Sequence, residues 1–424
     1  MTASSDHLII GSSHAAIAAI AAIRSQDAKT TVTVLTRDHH FPYSPTLLPY
    51  VVSGRAQPET AILCDTEFFA AQRVRFERSA AVAAVRPETH EVALADGTAW
   101  HYDKLLLATG AAPLLPAIAG LSDLRFHCLR SLDDSLALRA GLGEARRAVV
   151  LGAGLIGMHA AEHLVKAGIA VTVIEPRAQV LPGYFDAEAA AHIAARFAAN
   201  GVVFRFGRTA VAAAPAGAEG ESCRLTLDDG VEIAADLLLI ATGVRPACDY
   251  LAGSGIATDR GILVDALMQT SAPAVWAAGD VAEAPAFPGP GRAVAGILPE
   301  AVAQGRIAGM AMAGDAALQP YRGSIPRNTY GFFGETAISV GAGVAATPTA
   351  DAELHIRRDR ETGAYWRIAL RENRLLGIAA VNLPLDAGIL CELIRREIDL
   401  APCKARFIAA PRETAQRLMS RIWR

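Results

Sequence analysis

Gly152, Gly154 and Gly157 fall at the spacing G-x-G-x-x-G, between the apolar run Ala148 to Leu151 and an alanine-rich stretch that reads as a helix. In that setting the first glycine permits a tight turn. The second lets a pyrophosphate approach the backbone, and the third lets helix and strand pack closely. The free N–H groups and partial positive charge of the helix start then face the phosphates. Glu175 ends the following run AVTVIE, where a carboxylate can accept both ribose hydroxyls and repel a 2′-phosphate. The pattern predicts NAD(H) in preference to NADP(H), with Arg177 softening that preference. The expected contacts are Gly152, Gly154, Leu155, Ile156, Gly157, Glu175 and, from the later Ala-Thr-Gly segment, Gly243. The competing reading is a glycine turn that serves packing alone.

A degraded copy stands at the N-terminus. Gly11 is kept, but Ser13 and Ala16 hold the other two glycine positions, and Thr36 replaces the acidic residue at the strand end. Serines still donate to phosphate, and Thr36 and Arg37 stand where ribose or adenine would lie. Alone, this turn does not separate a nucleotide site from an ordinary strand–helix corner. The segment Val275 to Asp280, VWAAGD, decides in favour of a site. It reads as a strand delivering Asp280 to a ribityl hydroxyl, a hydrogen bond to an ionised acceptor. The next helix, Leu298 to Gly314, would aim its N-terminus, with Glu300 and Ala301, at the edge of a flavin that becomes negative on reduction. A solvated turn residue is the competing reading of Asp280. FAD is therefore expected in this copy, contacted by Gly11, Ser12, Ser13, Ala15, Thr36, Arg37, Val82, Thr109, Gly110, Asp280, Glu300 and Ala301.

The elements that must hold these residues repeat. Each half runs strand, tight turn, helix, strand, and later a strand ending in Ala-Thr-Gly (Ala108 to Gly110, Ala241 to Gly243). Such alternation predicts an α/β chain with two nested, doubly wound, Rossmann-like domains. Residues 1–115 and 245–318 would form a discontinuous FAD domain, 116–244 an NAD domain, and 319–424 a C-terminal α+β interface domain. Pro113 to Pro116 and Val244 to Pro246 read as the crossings. Pro285 to Gly291 reads as a loop near the cofactor, and Ala214 to Ser222 as a surface turn. In the last region Tyr365 to Leu370 and Leu375 to Val381 predict a hairpin. A helix is expected over Asp386 to Leu400, and a basic amphipathic helix from Pro411 onward.

The 424 residues carry a net charge of −3, so no global basic balance favours nucleic acid. The apolar stretch Leu8 to Ile23 is too short and too interrupted to span a bilayer, and no membrane is expected. Six cysteines (Cys64, Cys128, Cys223, Cys248, Cys391, Cys403) are scattered without a CxxC. That usage suits reduced thiols and a cytoplasmic location, with no metal site.

The ordered set GSSHAA, two ATG segments, GAGLIG with Glu175, and AAGD resembles the FAD/NAD(P)-dependent pyridine nucleotide–disulfide oxidoreductases, over about residues 6 to 314. Phe41 to Arg55, FPYSPTLLPYVVSGR, resembles their flavin-facing segment. There Thr46 takes the place of the redox cysteine, and Ser44 precedes Pro45 where rubredoxin-reductase-like members carry a basic residue. The resemblance implies a flavin-facing role for Pro45. His159 stands where relatives usually carry a glutamate near flavin N5. It is either a group that tunes the flavin or holds the nicotinamide, or a satisfied histidine between helix and sheet.

A threonine forms neither a charge-transfer thiolate nor a mixed disulfide, so electrons must pass from FAD directly to an acceptor. HLIIGSSHAA, TRD and PYSPTLLPYVVSGR also resemble the NAD-handling FAD subunits of multisubunit enzymes, such as NAD-linked phenylglyoxylate dehydrogenase and tungsten-dependent aldehyde oxidoreductase. This implies hydride exchange between NAD(H) and FAD, single electrons exchanged with an iron–sulfur partner, and a hetero-oligomeric complex. The alternatives are a freestanding NADH:rubredoxin or ferredoxin reductase, a non-catalytic flavoprotein subunit, and an NADH oxidase.

Overall fold

The computed structural model describes residues 2–216, 223–289, 291–345 and 351–422. Most of the surface turn expected at Ala214 to Ser222, and the last two residues of the basic tail, lie outside the described residues. The chain divides into two compact units. One comprises Met1–Pro113, Arg130–Leu132 and Val244–Ser324; the other comprises Leu114–Leu129, Asp133–Gly243 and Ile325–Arg424.

In the first unit, strands rich in leucine, isoleucine and valine build a parallel sheet in the order Val74–Glu77, Val32–Leu35, Thr2–Ile10, Ala99–Leu107. The far edge of Ala99–Leu107 is shared between two partners. Its first residues pair antiparallel with Glu91–Leu94, and Leu105 to Leu107 pair parallel with Val275–Ala277. Leu8 to Ile10 and Leu105 to Leu107 are at most 4% exposed, which is why they read as unbroken apolar runs rather than as alternating ones. The helices His14–Gln26 and Leu298–Ala313 lie against each other through small residues. A Cβ at Gly305 would stand 2.1 Å from the carbonyl oxygen of Ala15. The two segments expected to carry the chain between halves lie side by side, Ala111–Pro113 pairing antiparallel with Val244–Pro246. On either side of the segment expected as a loop, Ala282–Pro285 and Arg292–Ala293 pair antiparallel; Pro290 lies outside the described residues.

The second unit holds a four-stranded parallel sheet in the order Val203–Phe206, Ala170–Glu175, Arg147–Leu151, Leu237–Ile240. A three-stranded antiparallel sheet (Ala210–Pro215, Cys223–Leu227, Glu232–Ala235) packs Leu225 and Leu227 against Val149, Leu151 and Ile240 of the parallel one. The same unit contains a five-stranded antiparallel sheet in the order Arg327–Phe332, Glu335–Gly341, Arg374–Val381, Ala364–Arg371, Glu353–Asp359. The expected hairpin is its centre. Glu372 and Asn373, at φ 48° and 60°, form the two-residue turn whose twist suits paired strands.

Polar contacts tie that sheet to the helix Ala187–Ala199. Glu335 accepts from His192 Nε2 at 2.7 Å and pairs with Arg196 at 3.2 Å, while Asp186 takes the Tyr365 hydroxyl and Arg367 at 3.0 Å.

Two helices at the end differ from expectation or refine it. The helix expected over Asp386 to Leu400 spans Ala387–Arg395. It stops because Glu397 turns left-handed (φ 49°), so that the N–H groups of Glu397 and Ile398 close back on the carbonyls of Ile394 and Leu393. The basic helix Pro411–Ile422 docks through Pro411, Thr414, Ala415 and Met419, leaving Arg412 and Arg417 exposed. Among the described residues no helix is long and apolar enough to cross a membrane.

The tight helix contact sets a test of packing. Gly305→Ala should lower stability by about 1–3 kcal/mol in chemical denaturation. Gly143→Ala, where an added Cβ meets nothing within 4 Å, should leave the midpoint unchanged.

Candidate dinucleotide sites

Gly11 has φ +104°, and a Cβ there would lie 2.1 Å from the carbonyl oxygen of Ala108. The strand end Ala108-Thr109-Gly110 therefore crosses directly over the turn, and only glycine fits beneath it. A cleft of about 360 Å³ opens beside this crossing. Gly11, Ser12 and Ser13 line it from the turn, Thr36 and Arg37 from just past the strand Val32–Leu35, and Pro45, Val82, Thr109 and Gly110 from around it. Nine of the residues expected at FAD thus meet around one cavity. Hydroxyls, helix-start N–H groups and two arginines (Arg37 and Arg130) suit a dinucleotide pyrophosphate.

Ala15, Asp280, Glu300 and Ala301 do not line the cleft. Ala15 lies at the helix crossing, its carbonyl oxygen against Gly305. Asp280 reaches the cleft through Arg130, whose Nη2 is 3.2 Å from its Oδ2 while Nε donates to the Ala111 carbonyl at 2.9 Å. Glu300 is 2% exposed and accepts the Tyr321 hydroxyl. Beside them Gln304, equally buried, accepts the Gly279 N–H at 2.9 Å and so fixes the residue before Asp280.

Sequence reasoning gave no role to Asp38, Arg130, Gln304 or Tyr250. Tyr43 donates to Asp38 at 2.7 Å, and burial beside that carboxylate keeps its phenol protonated. Thr109 Oγ1 donates to the Ala247 carbonyl and lies 3.1 Å from the Tyr250 hydroxyl. Arg130 carried no signal beyond its charge, because its partner lies 150 positions away.

No redox thiol stands in the Phe41 to Arg55 segment. Thr46 instead shares a 2.7 Å hydrogen bond with Ser44. Cys64, in the same unit, is pushed up to about 11 by burial and by Asp65, which holds it as a thiol.

In the second unit Gly152 repeats the geometry of Gly11, with φ +103° and a Cβ position 2.4 Å from the Ala241 carbonyl oxygen. Beyond it Gly154 begins the helix Leu155–Lys166, and a Cβ there meets nothing within 4 Å, an open cradle for phosphate. Gly157 packs against the turn itself, Ile156 is exposed, and Gly243 is open. Glu175 is buried, with one carboxylate oxygen accepting the Ala153 N–H at 2.8 Å and the other the Arg177 N–H at 2.9 Å. His159 lies edge-on to the Tyr330 ring, centroids 4.8 Å apart, and burial lowers its pKa while Glu162 acts against that shift.

Two glycine-crossed turns, one on each parallel sheet, define a protein that holds two dinucleotides. Residues 5–305 match the family described as pyridine nucleotide-disulphide oxidoreductase, and the chain belongs to that family. It is 48% identical over 419 residues to subunit epsilon of the NADH-dependent phenylglyoxylate dehydrogenase of Aromatoleum evansii, covering 99% of this chain and 98% of the relative. It is 34% identical over 277 residues to the ferredoxin–NAD(+) reductase component of the biphenyl dioxygenase system of Paraburkholderia xenovorans, covering 65% and 67%. A solved ferredoxin reductase from Rhodopseudomonas palustris superposes with a TM-score of 0.79 at 26% identity, covering 89% and 91% of the two chains. The chain is an FAD-dependent NAD(H) oxidoreductase that moves electrons between NAD(H) and an acceptor.

Two substitutions probe the sites. Arg130→Gln should weaken FAD retention by about 1.5–3 kcal/mol, the worth of a hydrogen bond to a charged group, read as flavin released on dilution. Glu175→Gln should cost NADH roughly tenfold in kcat/KM and raise NADPH use, since the repulsion of a 2′-phosphate is removed. Steady-state rates with both coenzymes check this.

Proposed function

We propose that this chain is the NAD(H)-handling flavoprotein subunit of a multisubunit oxidoreductase acting on a 2-oxoacid or an aldehyde, and that it exchanges single electrons with an iron–sulfur partner. The observation that carries this reading is end-to-end similarity to a dehydrogenase subunit. A second observation points the same way: a threonine hydroxyl stands where a redox thiol would be needed for disulfide chemistry. FAD, when bound, supplies the chemistry that accepts an electron pair as hydride and releases it one electron at a time. The residues of this chain would bind and position. Gly11, Ser12, Ser13 and Arg37 would hold the FAD pyrophosphate end, and Arg130 would hold Asp280 toward the ribityl chain. Pro45 would bound the flavin ring. Gly152 to Gly157 would seat the NAD(H) pyrophosphate, with Glu175 on the ribose. His159, kept neutral by burial, would offer a ring nitrogen to the nicotinamide carboxamide. Similarity to the ferredoxin–NAD(+) reductase component favours a second reading, a freestanding reductase.

Native mass spectrometry of the protein purified from its own cells separates the two, with co-purifying iron–sulfur subunits supporting the first and a flavoprotein alone the second. The exposed arginines of the last helix offer a further test. Arg412→Glu with Arg417→Glu should slow reduction of an acidic iron–sulfur acceptor several-fold and increasingly at low salt. NADH-driven ferricyanide reduction should stay unchanged. Equal loss of both activities would show that the helix serves stability alone.

A further inference from the structure

His14, Ser44 and Thr46 form a line of hydrogen bonds that the binding roles above do not use. His14 Nε2 lies 3.0 Å from Ser44 Oγ, and Ser44 Oγ lies 2.7 Å from Thr46 Oγ1. Thr46 is exposed, Ser44 is 4% exposed and His14 is half-buried. Between the two hydroxyls in sequence, Pro45 lines the cleft. The line thus starts at an open hydroxyl beside the cleft, passes a buried one, and ends on an imidazole at the start of its helix.

The chemistry of the proposed function leaves a proton to be moved. Oxidation of NADH to NAD+ yields two electrons and one proton, and an iron–sulfur acceptor takes electrons only. Each turnover therefore strands one proton at the site, or consumes one in reverse. We propose that Thr46, Ser44 and His14 are the relay that carries it. Thr46 Oγ1 binds the incoming proton as its own hydroxyl proton passes to Ser44 Oγ. The Ser44 proton passes to His14 Nε2, and the imidazolium releases its charge to solvent. Each oxygen gains one O–H bond as it loses one, and the only new N–H bond is on His14. The relay rests on the reading of a one-electron acceptor.

The surroundings of His14 suit a proton acceptor. Burial lowers its pKa below the ordinary imidazole value, so the ring is neutral near pH 7 and free to bind a proton. The charged group acting on it is Asp280, which favours the protonated form but is itself paired to Arg130. The helix start adds a partial positive charge that hastens release.

The test uses the holoprotein with FAD bound. Spectroelectrochemical titration of the flavin between pH 5 and 8 should show a break in potential against pH, placed below the ordinary imidazole pKa. His14→Asn should remove that break. Thr46→Val, which keeps the imidazole, should keep the break. It should, however, slow reoxidation of the NADH-reduced protein by ferricyanide about tenfold or more and abolish its solvent isotope effect. A break that persists in His14→Asn, or an isotope effect unchanged in Thr46→Val, overturns the relay. Should His14→Asn fail to hold flavin, Thr46→Val alone decides. Wild-type protein whose flavin is not bleached by NADH would sink the electron-transfer reading itself; normal bleaching without these effects sinks only the relay.

Discussion

A carbonyl oxygen pressed against a glycine organises both halves of this protein. Ala108 and Ala241 bring their oxygens so close to Gly11 and Gly152 that neither position has room for a side chain. Each contact locks the end of one central strand over the turn that leaves its neighbour, and thereby sets where the following helix begins. A helix start is suited to bind phosphate, so in the proposed sites cofactor placement and sheet closure would be one steric event. This accounts for the unequal loss of glycines in the first copy. Gly11 survives because backbone fills the space above it. Ser13 replaces a glycine whose counterpart, Gly154, faces open space, and its side chain enters the cleft rather than the core. Ala16 is accepted at the third position, fully packed.

The fold was legible for the same reason. Strands buried on both faces are continuous apolar words, the turns carry glycine at forced positions, and the repeat of both together leaves few topologies. The hairpin around Glu372 and Asn373 was legible from its two apolar runs, although neither turn residue is a glycine. The end of the helix at Arg395 was not. Glu397 adopts a left-handed backbone that a glutamate does not advertise, and the apolar pattern runs past it. At the cleft, residues attached to a glycine turn were foreseeable. Asp38, Arg130, Gln304 and Tyr250 were not, because each is defined by a partner that sequence spacing does not reveal.

The polar groups beneath the first site show how such partners are held. Glu300, Tyr321 and Gln304 form a buried set, ending on the Gly279 N–H. Buried polar groups are costly unless all are satisfied, and a satisfied set is rigid. Asp280 therefore follows a residue whose backbone is fixed from within the core. Glu175 is treated similarly in the other half, one oxygen being held by the Ala153 N–H of the glycine turn and the other by the Arg177 N–H just past its own strand. In the proposed role, a carboxylate held in this way would meet a ribose without rearrangement.

Arg130 carries a different kind of consequence. With Ser131 and Leu132 it belongs to the first compact unit, although the chain on either side of this tripeptide belongs to the second. A polypeptide spliced from the two long segments of the first unit would own every strand of its sheet and still lack the cation that grips Asp280. Gene dissection along the obvious seams would thus yield a well-formed scaffold in which Asp280 has lost its paired cation.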